Sequence, residues 1–311
     1  KKLKNLKSLN VSVIYLNPIF LSYSNHRYDT SDYMKIDTVL GDEKDLKSLL
    51  NKAKKLGIKI ILDGVFNHTG DDSIYFNKYG HFDTVGAYQS KESPYYSWYC
   101  FDKFPDKYLS WWGIDILPTI NKNSMEFEDF IAGENGMLEH YAKLGVAGIR
   151  LDVVDEIPDS FVVKIRNAMH RVDSDNLVLG EVWEDATNKI AYSVRRKYFQ
   201  GKELDSVMNY PLKDAIINFV LTANSTNLSN VIKSQTDNYP KIALDCLMNI
   251  LGTHDTPRIL TVLGRETVTT SKEESEFEFL SDKELSNGIQ RLKVASLLQF
   301  TLYGIPSVYY G

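Results

Sequence analysis

Four apolar runs in this chain end in residues able to do acid, base or nucleophilic chemistry. "KIILDGVFNH" carries Asp63, Asn67 and His68; "GIRLDVV" carries Arg150 and Asp152; "LVLGEVW" carries Glu181 and Trp183; "LMNILGTHD" closes on His254 and Asp255. An unpaired charge buried in an apolar strand costs several kcal/mol, so each carboxylate is either paired locally or placed where a strand opens onto a site. One such residue reads most simply as a salt bridge or cap. Four strands that each finish in a carboxylate read better as one shared space, because parallel α/β folds gather functional residues at the carboxyl ends of their strands.

Several carboxylates with one arginine and two histidines suit glycoside hydrolysis better than most chemistries. One carboxylic acid must protonate the leaving oxygen while another carboxylate attacks the anomeric carbon, and their surroundings must hold the two pKa values apart. Arg150 lies two residues before Asp152 and so shares its face of the strand. Its charge is expected to keep Asp152 ionised. The chain also has 19 Tyr and 4 Trp, dense between Tyr95 and Trp112. Flat rings with a polar edge suit the faces of sugars; the plainer reading is a small aromatic core.

Elements must carry these residues to one place. The 311 residues are enough for two average domains or one large α/β barrel. Short apolar runs alternate with longer amphipathic stretches, the pattern of βα units around a parallel sheet. Seven strands are expected, at 11–20, 59–66, 148–154, 177–183, 204–210, 247–255 and 304–311. "GDEKDLKSLLNKAKKLG" predicts a helix capped by Asp42 and ended by Gly57, and the same helix, glycine, strand order returns in "EHYAKLGVAGIRLD". Further helices are expected over about 159–172, 211–221 and 283–302. The interval from His68 to Asn123 breaks the alternation and is too long for a structureless loop, so it reads as an inserted subdomain leaning over the site.

Other classes are excluded. A net charge of -5 and a pI near 5.8 offer no basic stripe, which argues against nucleic acid as a partner. No apolar run reaches the roughly 20 residues that span a bilayer, and the first residues lack the apolar segment of a signal peptide. Cys100 and Cys246 read as separate thiols, not a disulfide scaffold or zinc cluster.

At these residues the sequence resembles the α-amylase superfamily of retaining glycoside hydrolases (glycoside hydrolase family 13). The motifs are "DGVFNH", "LPTIN", "GIRLDVVDE", "LGEVWE", "LGTHDTPR" and "GIPSVYYG", in the family's order across essentially the whole chain. The resemblance implies a (β/α)8 TIM barrel made of 1–67 and 124–311, with a B domain at 68–123 after the third barrel strand. It implies Asp152 as nucleophile, Glu181 as general acid/base and Asp255 as the third carboxylate gripping sugar hydroxyls. Arg150 would orient Asp152, and His68 and His254 would hydrogen-bond the sugar. Tyr28 would stack beneath it, Trp183 would stack on the leaving-side sugar, and Asp63 would support the site without reacting. Asn67 matches a calcium-binding position of many relatives, but Asn121 offers only a neutral oxygen, so a tight calcium site is not expected. Thr119 stands where relatives often carry Lys.

"SNHRYDTSDY", "VVDEIP", "GEVWEDA" and "DSVMNYP" look most like the neopullulanase, cyclomaltodextrinase and amylopullulanase group. The implied substrate is an α-glucan of the starch, pullulan or cyclodextrin type, cut at α-1,4 and in many relatives also α-1,6 links. The motifs also imply a chain that starts just before the family's second strand and stops at its eighth, leaving open barrel edges at which copies could self-associate. Transglycosylation, and glucan binding with little turnover, remain as alternative readings.

Overall fold

The structure, a computed structural model, describes residues 2–265 and 279–310. It separates into two compact units, Lys1–Glu181 with Gln200–Leu204, and Val182–Phe199 with Asp205–Gly311.

The first unit is built on parallel strands. In chain order it runs α1 (Lys2–Ser8), β1 (Val13–Tyr15), β2 (Phe20–Ser22), β3 (Thr30–Ile36), α2 (Glu43–Lys55), β4 (Lys59–Gly64), β5 (Phe101–Lys103), β6 (Lys107–Tyr108), α3 (Met125–Ala132), α4 (Met137–Leu144), β7 (Gly148–Leu151), α5 (Asp159–Val172) and β8 (Leu177–Gly180). The sheet order β1-β4-β7-β8 pairs each strand in parallel with the next. β4 and β7 are buried almost throughout, as apolar strands covered on both faces must be. Each expected run holds a strand, and each strand is shorter than its run. The difference matters chemically, because Asp152 and Glu181 come just after β7 and β8, where side chains leave the ladder.

Local signals place the helices well. Asp42 caps α2 and forms a reciprocal capping box with Asp45, while Leu46, Leu50 and Ala53 face the core. Gly57 (φ 68°) and Gly145 (φ 114°) take the left-handed conformation that ends α2 and α4, where glycine carries no steric cost. The run 11–20 behaves differently: β1 stops at Tyr15, Pro18 follows, and the chain restarts as β2, antiparallel to a strand β3 that hydrophobic pattern does not reveal.

Within the insertion, Tyr75, Phe76, Trp98 and Tyr99 are buried. Their rings interlock, Tyr75 with Trp98 at 4.8 Å and Phe76 with Tyr99 at 4.8 Å, and Trp98 meets Phe127 of α3 at 5.0 Å. The plainer reading of the aromatic stretch therefore accounts for most of it. The insertion belongs to the same unit as the strands that flank it.

The second unit holds helices Tyr210–Thr222, Thr226–Asn238, Ile259–Gly264 and Asp282–Thr301 around a core that includes Leu212, Ile216, Leu263 and Ala295. Its strands Met248–Asn249 and Ile305–Pro306 are parallel, and Met208 bridges to Met248. The helix Thr226–Asn238 was not expected from its apolar spacing. Gly311, the end of the last expected strand, lies outside the described residues.

Candidate active site

Parallel register sets Asp63 of β4 directly across from Arg150 of β7. Paired residues of neighbouring strands project to the same face, and here the two side chains join without any exposure to solvent. Arg150 Nη1 donates to Asp63 Oδ1 at 2.8 Å and Oδ2 at 3.0 Å, and to Asp152 Oδ1 at 2.8 Å. Arg150 Nη2 lies 2.8 Å from Glu181 Oε2, close enough for an ion pair though off the axis of a hydrogen bond. One buried guanidinium thus holds three carboxylates.

Two phenols complete the shell of Asp63. Tyr15 Oη donates to Oδ2 at 2.5 Å and Tyr28 Oη to the same oxygen at 2.7 Å. Burial, reinforced by the Asp63 charge, pushes both phenols far above their ordinary pKa, so they remain donors. Asp63 is therefore a buried carboxylate with hydrogen bonds to both oxygens. The resemblance set Tyr28 beneath the sugar ring; its hydroxyl is used internally.

Asp152 and Glu181 extend the ladder by one residue each: Asp152 N donates to Gly64 O at 3.1 Å and Glu181 N to Leu151 O at 3.1 Å. Val153 then turns the chain sharply, with φ 39° and ψ 52°. Its N–H donates to Glu181 Oε2 at 2.8 Å. Burial raises the Asp152 carboxyl well above its ordinary pKa; Arg150 opposes this, while Asp63 and Glu181 add to it. Arg150 acts in the expected direction, favouring the ionised form of Asp152, against burial and the two neighbouring carboxylates. Three carboxylates share a single guanidinium, so the attraction of Arg150 for Asp152 is offset by desolvation and by the two neighbouring carboxylates.

His68 is enclosed. Its Nε2 meets Tyr28 O at 3.0 Å and its Nδ1 meets Asn67 Nδ2 at 3.2 Å, while Lys122 Nζ donates to Asn67 Oδ1. A consistent direction runs through this chain: Lys122 donates to Asn67, Asn67 to His68 Nδ1, and His68 Nε2–H to Tyr28 O. Burial lowers the His68 pKa to about 4, so the ring is neutral at pH 7. Trp111 covers its face, with ring centres 5.1 Å apart and 21° between planes.

The calcium implied at Asn67 does not fit these groups. The amide oxygen of Asn67 already accepts from an ammonium group, and Asn121 Oδ1 accepts from Asn123 N at 3.1 Å. A divalent cation wants several anionic oxygens; here it would meet Lys122.

In the second unit, Trp183 is 46% exposed and lies flat on buried Tyr210, 4.0 Å between centres. One face of its ring is thereby covered. His254 Nε2 pairs with Asp255 Oδ2 at 2.9 Å, and the Asp255 side chain is 41% exposed.

A family model described as the catalytic domain of alpha amylase matches residues 1–311. The chain belongs to this α-amylase family. Among curated relatives, it is 39% identical to an amylopullulanase from Thermoanaerobacter thermohydrosulfuricus over all of this chain and 22% of that protein. It is 32% identical to a cyclomaltodextrinase from Thermoanaerobacter pseudethanolicus over all of this chain and 49% of that protein. The chain thus spans half or less of these relatives. Among solved structures, the type III pullulan hydrolase from Thermococcus kodakarensis superposes with a TM-score of 0.82 at 30% identity, over 99% of this chain and 50% of that one.

Within this α-amylase-family chain, the motifs point to Asp63, Arg150, Asp152 and Glu181. They miss Tyr15, Val153 and Lys122. Tyr15 could have been found as a polar tip at the end of an apolar run. The left-handed turn at Val153 and the pairing of Lys122 with Asn67 have no local signature.

Proposed function

We propose that the chain is the catalytic region of a retaining α-glucan hydrolase that cleaves α-1,4 glucosidic bonds. The single observation that carries this reading is the Arg150 guanidinium, which holds Asp152 and Glu181 on its two terminal nitrogens. Two carboxyls anchored to one planar group remain neighbours, as a double displacement requires. The names of the relatives, an amylopullulanase, a cyclomaltodextrinase and a pullulan hydrolase, support an α-glucan as the substrate.

In this reading Asp152 attacks the anomeric carbon, forming a C–O bond as the glycosidic C–O bond breaks. Glu181 gives its proton to the departing oxygen. Val153 N–H and Arg150 hold Oε2, so the proton transfer is assigned to Oε1. Water then attacks the glycosyl-enzyme with Glu181 as base, releasing the sugar with its original configuration. Asp255 is assigned to the sugar hydroxyls, with His254 beside it, and Trp183 to the leaving-side sugar. His68, neutral and fixed by Tyr28 and Asn67, forms the wall of the site under Trp111. Lys122 supplies the positive charge at Asn67, so neither the chemistry nor the fold of the site depends on calcium.

Incubation with maltooligosaccharides, pullulan and cyclomaltodextrin, with products resolved by size and anomeric form, tests the proposal. Shorter products born as α-anomers are expected. Products longer than the substrate would shift the reading to transglycosylation, and β-anomers would overturn the retaining mechanism.

A further inference from the structure

Three rings leave the candidate site in a row. His68 stacks on Trp111, and Trp111 stacks on Trp112 with 5.2 Å between centres and 27° between planes. The inner ring is buried, and the outermost, Trp112, is 81% exposed. A single exposed tryptophan is ordinary on a protein surface. This one differs because its backbone is held at φ 53°, followed by Gly113 at φ 76°. A bulky residue in the left-handed region is a genuine outlier, and such strain persists only where the surroundings impose it. Here the lip from Ser110 to Leu117 does so. Trp111 N donates to Leu117 O at 2.9 Å, Ile114 N to Trp111 O at 3.0 Å and Leu117 N to Ile114 O at 2.9 Å. A closed, hydrogen-bonded loop thus displays an indole to solvent.

We propose that Trp112 is an outer sugar-binding platform, on which a glucose unit of a long α-glucan stacks while the chain's other end occupies the Asp152–Glu181 site. This rests on the glucan reading above and extends it to substrate length. The occupant follows from continuity: the ring ladder begins at His68, whose Nε2 is bonded to Tyr28, whose hydroxyl is bonded to Asp63. The indole offers a flat apolar face, the complement of the C–H face of a glucopyranose. Asp115, exposed in the same lip, supplies an acceptor for its hydroxyls.

The test uses the full chain carrying Asp152→Asn, to prevent turnover, with calorimetric titration of maltotriose and maltoheptaose. Adding Trp112→Gly is expected to weaken maltoheptaose about tenfold, near the upper range of one aromatic contact, and to leave maltotriose unchanged. Glycine accepts φ 53°, so the melting temperature should hold, and Trp112→Phe should recover most of the affinity. Equal affinities with and without the indole would overturn this proposal alone. Failure of the Asp152→Asn chain to bind either sugar would overturn the glucan reading and this proposal together. Concentration-dependent dimerisation abolished by Trp112→Gly would overturn it by assigning the platform to a second copy.

Discussion

The backbone N–H of Val153 reaches Glu181 Oε2 at 2.8 Å, and Val153 itself occupies the left-handed region, φ 39° and ψ 52°. A β-branched residue there carries roughly 1–3 kcal/mol of strain. The turn redirects the chain within one residue of Asp152, so one peptide unit both ends the nucleophile's strand and fixes the proposed acid. Val153→Gly should retain turnover within about threefold and hold or raise stability by up to about 1 kcal/mol, since glycine accepts this conformation. Val153→Pro cannot adopt it and has no N–H, so its turnover should fall at least about 100-fold. Thermal melts and kcat/KM for the two variants decide the matter; a glycine variant as inactive as the proline one would show that the turn does not act through its N–H.

Asp63 lies between the chemistry and the core. Its charge helps to raise the Asp152 pKa, so Asp63→Asn removes a repulsion and leaves Arg150 more fully to Asp152. Both changes favour the ionised nucleophile. The acid limb of the kcat/KM profile should therefore move to lower pH, while overall stability drops by about 3 kcal/mol through a half-broken buried ion pair. A limb that stays in place or moves to higher pH would contradict the shared-charge account.

The sequence made this cluster legible because its members sit in the short apolar runs that define the sheet. Asp63 and Arg150 needed only the strand period and the parallel pairing of their runs. Helix α2 was legible from Asp42 and Gly57, whose chemistry is local. Strand β3 was hidden because its side of the fold is decided by pairing with β2, and Lys122 because its partner Asn67 lies 55 residues away. The aromatic stretch misled in part: Trp98 and Tyr99 are packing, while Trp112 differs from them in its exposure and its left-handed backbone.

His68 links the site to acid stability. Its pKa falls from the ordinary 6.5 to about 4 in the folded chain, first through burial. Unfolded His68 therefore takes up a proton first as pH drops. Its contribution is fully present above pH 6.5 and is lost on acidification toward pH 4, roughly 3 kcal/mol in all. In denaturant melts across that window, His68→Asn should show a slope shallower by up to about 1.4 kcal/mol per pH unit. An unchanged slope would mean that His68 titrates normally.

Lys122 makes a separate prediction. Prolonged dialysis against EDTA should leave the melting temperature within about 1 °C, because no bound cation would be lost. Lys122→Met removes the donor to Asn67 and should destabilise by about 1–2 kcal/mol. Strong sensitivity to EDTA, reversed by calcium, would show that a metal and not the ammonium holds Asn67.

The most direct measurement of the central claim is mass spectrometry of the chain after reaction with a slow 5-fluoro-α-glucosyl fluoride. The account predicts a single glucosyl adduct on the peptide containing Asp152, and no adduct when Asp152→Asn is treated in the same way. An adduct on a different residue, or turnover persisting in Asp152→Asn within about tenfold of the parent, far above the loss expected for a missing nucleophile, would contradict it.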